Sequence, residues 1–289
     1  MEQDTYPQET SSNTVAVATA AQAPTVGVFD SGIGGFTVAG AILELRPDLG
    51  LVYFGDSLNM PYGGRAPEQI ARFAHHSIEF LLSRGIDILA VGCNASNSVL
   101  GQGELKSFGI PVHDLVSSTT EWLRSQPEVL QSAGLLATQA TVNSRYWQRK
   151  LSEVLPSLEV VPVAAPEFVP LIEAAKQDER AIRAAVRRYI QPLLDDSVTT
   201  IIHGCTHYPL LESYMRELSP KLKFIDPARC LARRLVANLL PPAELAAKRG
   251  GMRFYSSLPG ETFYRTGERV FGYPIREMTR MFIVSPYEE

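Results

Sequence analysis

Two short stretches carry the residues best equipped for chemistry. Thr199-Thr200-Ile201-Ile202-His203-Gly204-Cys205-Thr206-His207-Tyr208-Pro209 reads as a buried β-branched strand that ends at a glycine and delivers a cysteine, a threonine and a histidine. Asp87-Ile88-Leu89-Ala90-Val91-Gly92-Cys93-Asn94-Ala95-Ser96-Asn97 repeats the layout. A lone cysteine in such a place is by default a small core residue. Two at matching places, each with a polar escort, point to a device in which both thiols work.

Three chemistries fit this equipment. A nucleophilic cysteine hydrolase needs one thiolate and a histidine base, which leaves the second cysteine idle. A zinc site on Cys93, Cys205 and His207 lacks the clustered Cys-x-x-Cys pairs usual in structural zinc. Two-base proton transfer at a carbon centre uses everything: one thiolate removes a proton from one face and the opposite thiol returns one to the other. Thiols suit this because their reference pKa, about 8.5, lies close to working pH. Asp30 and His207 are placed to assist one cysteine each. Ser31, Asn94, Thr138, Thr141 and Thr206 supply short neutral donors for a carbanion formed beside a carboxylate. No metal and no pyridoxal phosphate is required.

The elements that must position these residues alternate strand and helix. Thr25 to Phe29 is a short buried strand ending in Asp30-Ser31-Gly32-Ile33-Gly34-Gly35, with a helix from Phe36 to Leu45. The glycines lack dinucleotide-fingerprint spacing and no Walker lysine follows, so they are read as letting a turn pass close to a small ligand beside Asp30. Further strands are expected at 51–54, 87–91, 110–113, 133–137, 158–163, 199–203 and 221–225. Helices are expected at 67–83, 142–151, from Pro166 through Glu173, at 178–195, at 209–217 and from Pro227 to Leu240, with Asp226 as a cap. Ser117 to Thr120 is read as a segment crossing between domains, and Thr138 to Thr141 as a loop. Cys230, inside a helix, is core packing, and the adjacent pair His75-His76 is surface histidine rather than a metal site.

This alternation gives an α/β fold of two similar domains, each a mostly parallel sheet covered by helices, with the site in the cleft between them. The boundaries expected are a flexible N-terminal extension over 1–24, a first domain of 25–116 plus 231–289 holding Asp30 and Cys93, and a second of 117–230 holding Glu173, Cys205 and His207. The 289 residues suffice for two such domains. Apolar content of 45% with 20% charged residues is ordinary for a globular protein, and a formal charge of −4 gives no reason to expect nucleic acid or an anionic membrane as partner. Three cysteines are too few for a disulfide scaffold. The apolar run Val15 to Ala23 has no positive residues before it and so is not read as a signal peptide. No run reaches bilayer length, and a cytoplasmic protein is expected.

Together these residues resemble the glutamate racemases of the cofactor-independent aspartate/glutamate racemase superfamily. The motifs that carry the resemblance are Val28-Phe29-Asp30-Ser31-Gly32-Ile33-Gly34-Gly35, Tyr62-Gly63, Gly92-Cys93-Asn94, Ala137-Thr138-Gln139-Ala140-Thr141-Val142-Asn143-Ser144 and Gly204-Cys205-Thr206-His207-Tyr208-Pro209-Leu210-Leu211. They span roughly residues 25 to 240. The resemblance implies interconversion of L- and D-glutamate, supply of D-glutamate for peptidoglycan, and a homodimer. It implies Cys93 as the base toward D-glutamate and Cys205 as the base toward L-glutamate, with Asp30 and His207 as their partners and Glu173 as a further acid near His207. Ser31, Tyr62, Gly63, Asn94, the position of Ala95, Thr138, Thr141 and Thr206 would hold the amino acid. Ala95 departs from a usual threonine, so one carboxylate donor is missing or replaced by Ser96, and His203 stands where an aliphatic residue is usual. The N-terminal extension is similar to that of members activated by a peptidoglycan precursor. A sister racemase for aspartate or another acidic substrate, the zinc hydrolase, and a binding protein that has kept only the fold are the alternatives.

Overall fold

The structure is a computed structural model that describes residues 23–126, 130–174, 176–239, 251–258, 260–272, 275 and 278–280. Two fully parallel sheets organise it. The first contains β1 (Thr25–Asp30), β2 (Gly50–Gly55), β3 (Ile88–Val91), β4 (Val112–Asp114), β9 (Met252–Ser256) and β10 (Met278–Arg280), in the order β10-β9-β2-β1-β3-β4. The second contains β5 (Ser132–Ala137), β6 (Glu159–Ala164), β7 (Thr200–Gly204) and β8 (Lys223–Ile225), in the order β6-β5-β7-β8. In each, the first strand in sequence has its second to one side and its third to the other. Each sheet therefore has a topological switch point, where crossover helices diverge and leave a crevice beyond the strand ends. The switch lies between β1 and β3 in one sheet and between β5 and β7 in the other.

Parallel strands need crossover helices, and helices cover both faces of each sheet. Alternation along β1 and β2 shows why the strands read as continuous apolar runs. Val26, Val28, Leu51 and Tyr53 join a core with α1 (Gly35–Leu45), α10 (Pro227–Ala237) and α11 (Glu261–Phe271). Phe29, Val52 and Phe54 face the other way, toward α2 (Pro67–Ser83) and α3 (Asn94–Leu105). The second sheet packs Leu136 and Ile201 against α7 (Phe168–Glu173), α8 (Glu179–Asp195) and α9 (Glu212–Leu218). Its other face, with Leu135 and Ile202, meets α4 (Leu115–Ser125), α6 (Tyr146–Val154) and Cys230 of α10. Cys230 is a core residue, as expected. The expected domain boundaries fall inside α4 and α10, two helices whose residues enter the cores of both sheets.

Several local expectations need correction. The crossing segment Ser117–Thr120 is the interior of α4, where the Asp114 carboxylate accepts from the Ser117 N–H and caps the helix. Likewise Thr138 caps α5 (Gln139–Ser144), so the expected loop 138–141 is already a helix start. The single helix expected over 142–151 is split into α5 and α6 by Arg145, whose φ of 52° is left-handed and cannot continue a helix. The expected helix 209–217 is a 3-10 turn (Tyr208–Leu211) followed by α9. The helix expected from Pro166 begins at Phe168, and the one expected to reach Leu240 ends at Ala237. Of the expected N-terminal extension, residues 1–22 lie outside the described residues, as does most of the expected loop 241–252.

Phe36 anchors the first core. Its ring stacks on Tyr53 at 4.0 Å and 9° and meets Phe254, Phe263 and Phe271 at 5.5–6.1 Å between centroids. Removing that ring leaves an aromatic-lined cavity that the strands cannot collapse. Phe36→Ala is expected to cost about 3–5 kcal/mol, read as a lower midpoint in urea unfolding with an unchanged slope.

Candidate active site

Each switch point delivers one cysteine. In the first sheet, β1 ends at Asp30 and β3 leads to Cys93, which immediately precedes α3. In the second sheet, β5 leads to Thr138 and β7 to Cys205. Asp30, Ser31, Asn94, Thr141, Thr206 and His207 at these ends are buried, and Thr138 is partly exposed.

The two halves are joined by hydrogen bonds. The Cys93 thiol donates to the Ser31 hydroxyl at 3.6 Å. The neighbouring Asp30 carboxylate accepts from the Gly32 N–H at 2.8 Å and from the Thr206 hydroxyl of the other half at 3.2 Å. Beyond Thr206, His207 places Nδ1 3.8 Å from the Cys205 sulfur and Nε2 2.5 Å from Glu173, at the end of α7. Hydrogen bonds and chain adjacency thus link Cys93 through Ser31, Asp30 and Thr206 to the segment holding Cys205 and His207, with Glu173 of α7 reached through His207.

Glycine makes this contact sterically feasible. A methyl group on Gly34 would lie 2.4 Å from the Thr206 hydroxyl and 2.5 Å from His207 Nδ1, and one on Gly63 would lie 2.8 Å from the Thr138 side chain. The expected role of the first glycine turn therefore changes. Gly34 admits the opposing protein segment, and Gly32 admits Met60 and Glu173.

Burial and neighbours set the charge states. Burial raises the Asp30 carboxyl to about 6, against the lowering effects of His207 and the Gly32 and Thr206 hydrogen bonds. Burial, reinforced by the Asp30 charge, raises the Cys93 thiol to about 11. For His207 burial opposes protonation, but Cys205 and Glu173 outweigh it and hold the imidazole well above the ordinary histidine range. The first cysteine is thus kept as a thiol, while the second faces a cation.

The remaining expected residues divide. Asn94 accepts from the Trp147 indole N–H at 3.1 Å through Oδ1, which fixes its amide and leaves a buried Nδ2 donor with no partner. Thr138 donates to Thr141 at 3.0 Å. Ala95 is buried in the first half's core and offers no polar group, whereas the buried Ser96 side chain beside it bears on the Cys93 thiol and favours its ionised form. The Tyr62 hydroxyl donates to Asp56 at 2.6 Å, and Asp56 also accepts from Ser257 at 2.7 Å. Asp56, Tyr53, Trp147 and Met60 were not singled out in the sequence. Tyr53 donates to the Gly32 carbonyl at 2.5 Å and fixes the glycine turn from below. The spacing of these residues gives no signal, since Trp147 lies 53 positions from Asn94. Among the described residues no group of three or more His, Cys, Asp or Glu side chains is placed to hold a metal ion. Among the described residues no helix is long and apolar enough to cross a membrane.

Comparison with known proteins agrees with this geometry. The family model described as Asp/Glu/Hydantoin racemase matches residues 39–235. The chain is 32% identical to a glutamate racemase of Carboxydothermus hydrogenoformans over 256 residues, covering 89% of this chain and 95% of that one. It is 36% identical to a glutamate racemase of Synechococcus sp. over 223 residues, covering 77% and 82%. Among solved structures, a Francisella tularensis glutamate racemase in complex with D-glutamate superposes with a TM-score of 0.81 at 25% identity, covering 90% of this chain and 98% of that one.

A testable consequence follows from Asp30. Because folding raises this carboxyl above its unfolded value of 3.8, the folded state favours the protonated form. That contribution is complete below about pH 4 and is lost as pH rises through about 6, above which an ionised, buried Asp30 opposes folding. Asp30→Asn is therefore expected to be more stable than the parent protein at pH 7.5, by about 1–3 kcal/mol, and to lose this advantage at pH 4. Melting temperatures of the two proteins across this range, compared as a difference, check the sign.

Proposed function

The chain belongs to the Asp/Glu/hydantoin racemase family, and from that premise we propose that it interconverts L- and D-glutamate without a cofactor, by proton transfer between two cysteines and the α-carbon. The observation that carries this reading is the pairing of switch points. Cys93 and Cys205 occupy equivalent strand ends in two sheets that share the order of four strands, and the Asp30–Thr206 hydrogen bond joins those ends. The glutamate racemases among its relatives point to the substrate.

In the L-to-D direction, Cys205 acts as thiolate, stabilised by the protonated His207 at 3.8 Å. It takes the α-proton, and the electron pair left on carbon delocalises into the substrate carboxylate. Asn94 Nδ2 is a buried donor without a protein partner and is available to that carboxylate. Cys93, held as a thiol, returns its proton to the opposite face. The cycle ends with a Cys205 thiol and a Cys93 thiolate, and the reverse direction runs the same steps backwards. Glu173 holds His207 in orientation and in charge. Asp30, whose raised pKa lies close to working pH, is the corresponding partner for Cys93. In the cell the product would serve as the D-glutamate source for peptidoglycan.

Purified protein with L-glutamate and no added cofactor, followed by circular dichroism, tests the reading. The signal should decay to zero. Cys93→Ser and Cys205→Ser should each lower the rate by roughly a hundredfold or more. An active parent with one cysteine variant unaffected would remove the two-thiol mechanism. An inert parent that instead turns over L-aspartate would move the substrate to the sister racemases.

A further inference from the structure

The reactive segment of the second half is a short loop, and one hydrogen bond closes its stem. Strand β7 ends with His203 and Gly204, and α9 begins at Glu212. Between His203 and Glu212 lie eight positions, 204–211, which include Cys205, Thr206 and His207. His203 is fully buried, and its Nε2 lies 3.0 Å from Glu212 Oε1. Its ring stacks on Phe224 of β8 at 5.2 Å and 2°.

The other Glu212 oxygen is engaged by Arg216 at 3.5 Å. Arg216 in turn donates to the Leu222 carbonyl at 3.1 Å and lies 4.7 Å over the Phe224 ring. The contacts form a closed circuit: His203 to Glu212, Glu212 to Arg216, Arg216 to Phe224, and Phe224 back to His203. Inside the loop, Tyr208 donates its hydroxyl to the Ala165 carbonyl at 2.8 Å, and the Tyr208 N–H bonds the Cys205 carbonyl at 3.2 Å.

A buried histidine is an expensive way to fill a strand position. It must be desolvated, and its Nδ1 is buried without a partner. An aliphatic side chain would fill the same place at no such cost. What the histidine adds is a directional link between the two ends of the loop.

We propose that His203 is a positioning residue, which acts through Glu212 to fix the Cys205–His207 segment for proton transfer. This deepens the two-cysteine reading and rests on it. The consequence is confined to one thiol. Loosening the stem displaces Cys205 and His207, whereas Cys93, on the other sheet, keeps its place. Proton transfer at Cys205 then becomes the slow step in both directions, and the two directions report it differently. With α-deuterated L-glutamate the slow step breaks the carbon–deuterium bond. With α-deuterated D-glutamate that bond is broken earlier, at Cys93.

The test compares the parent protein with His203→Leu and His203→Gln, using both α-deuterated enantiomers. For His203→Leu the expected result is a kcat lower by about tenfold, with KM changed less. The isotope effect on kcat/KM should rise for L-glutamate and fall toward unity for D-glutamate. The glutamine amide can still reach Glu212, so His203→Gln should recover most of the rate and restore the symmetry. Alkylation by iodoacetamide, read peptide by peptide, gives a readout that does not depend on the substrate. In His203→Leu, Cys205 should react several-fold more slowly than in the parent, and Cys93 should be unchanged. Parent-like isotope effects and alkylation in His203→Leu would overturn the proposal. So would equal changes at both cysteines with a lowered melting temperature, the mark of general loosening. Slowed alkylation of Cys205 alone, in a protein whose parent is inert on glutamate, would support the brace and reject the substrate.

Discussion

The structure depends on how closely two strand-end turns approach one another. Asp30 lies at the end of β1 and Thr206 just beyond the end of β7, and one hydrogen bond of 3.2 Å joins them. That distance is possible only because Gly34 has no side chain where Thr206 and His207 come in. Everything reactive is arranged about this contact: Ser31 and Cys93 to one side, Cys205, His207 and Glu173 to the other. The contact at these strand ends is therefore a polar one. Such a contact holds only when its groups are satisfied.

The electrostatics follow from the same burial. A buried carboxyl, thiol and imidazole would each favour the neutral form if isolated. Asp30 and Cys93 follow that rule and are raised. His207 departs from it, because a sulfur and a carboxylate flank its two nitrogens. The halves are similar in topology yet unlike in charge, one presenting a thiol and the other a cation beside its thiol. Proposed proton transfer through the cleft requires this asymmetry, since one group must give while the other takes.

Support for the site comes from outside it. Tyr53 holds the Gly32 carbonyl, Trp147 orients Asn94, Asp56 gathers Tyr62 and Ser257, and the His203–Glu212 link closes the Cys205 loop. Each of these is a polar contact between elements distant in the chain or at opposite ends of a loop. Such contacts fix side chains to fractions of an ångström, the tolerance that proton transfer demands.

The sequence by itself determined the strands, the kinds of helices between them and the residues at their ends. Apolar β-branched runs such as Ile88–Val91 and Thr200–Ile202 can be buried strands and little else, and their continuity announced a parallel sheet covered on both faces. The paired Gly-Cys-polar endings were legible for the same reason: they depend on local order alone. Short-range helix capping was legible where proline marked it, as at Asp226, and missed where Asp114 and Thr138 cap helices without that signal. Strand order, by contrast, is a long-range property, and only the tertiary structure put β1 beside β3 and β5 beside β7. Only there do Asp30 and Thr206, 176 positions apart, become hydrogen-bonded neighbours. The same holds for the partners that hold Asn94, Tyr62 and His203, because side-chain contact across a fold depends on packing in three dimensions, which no spacing along the chain encodes.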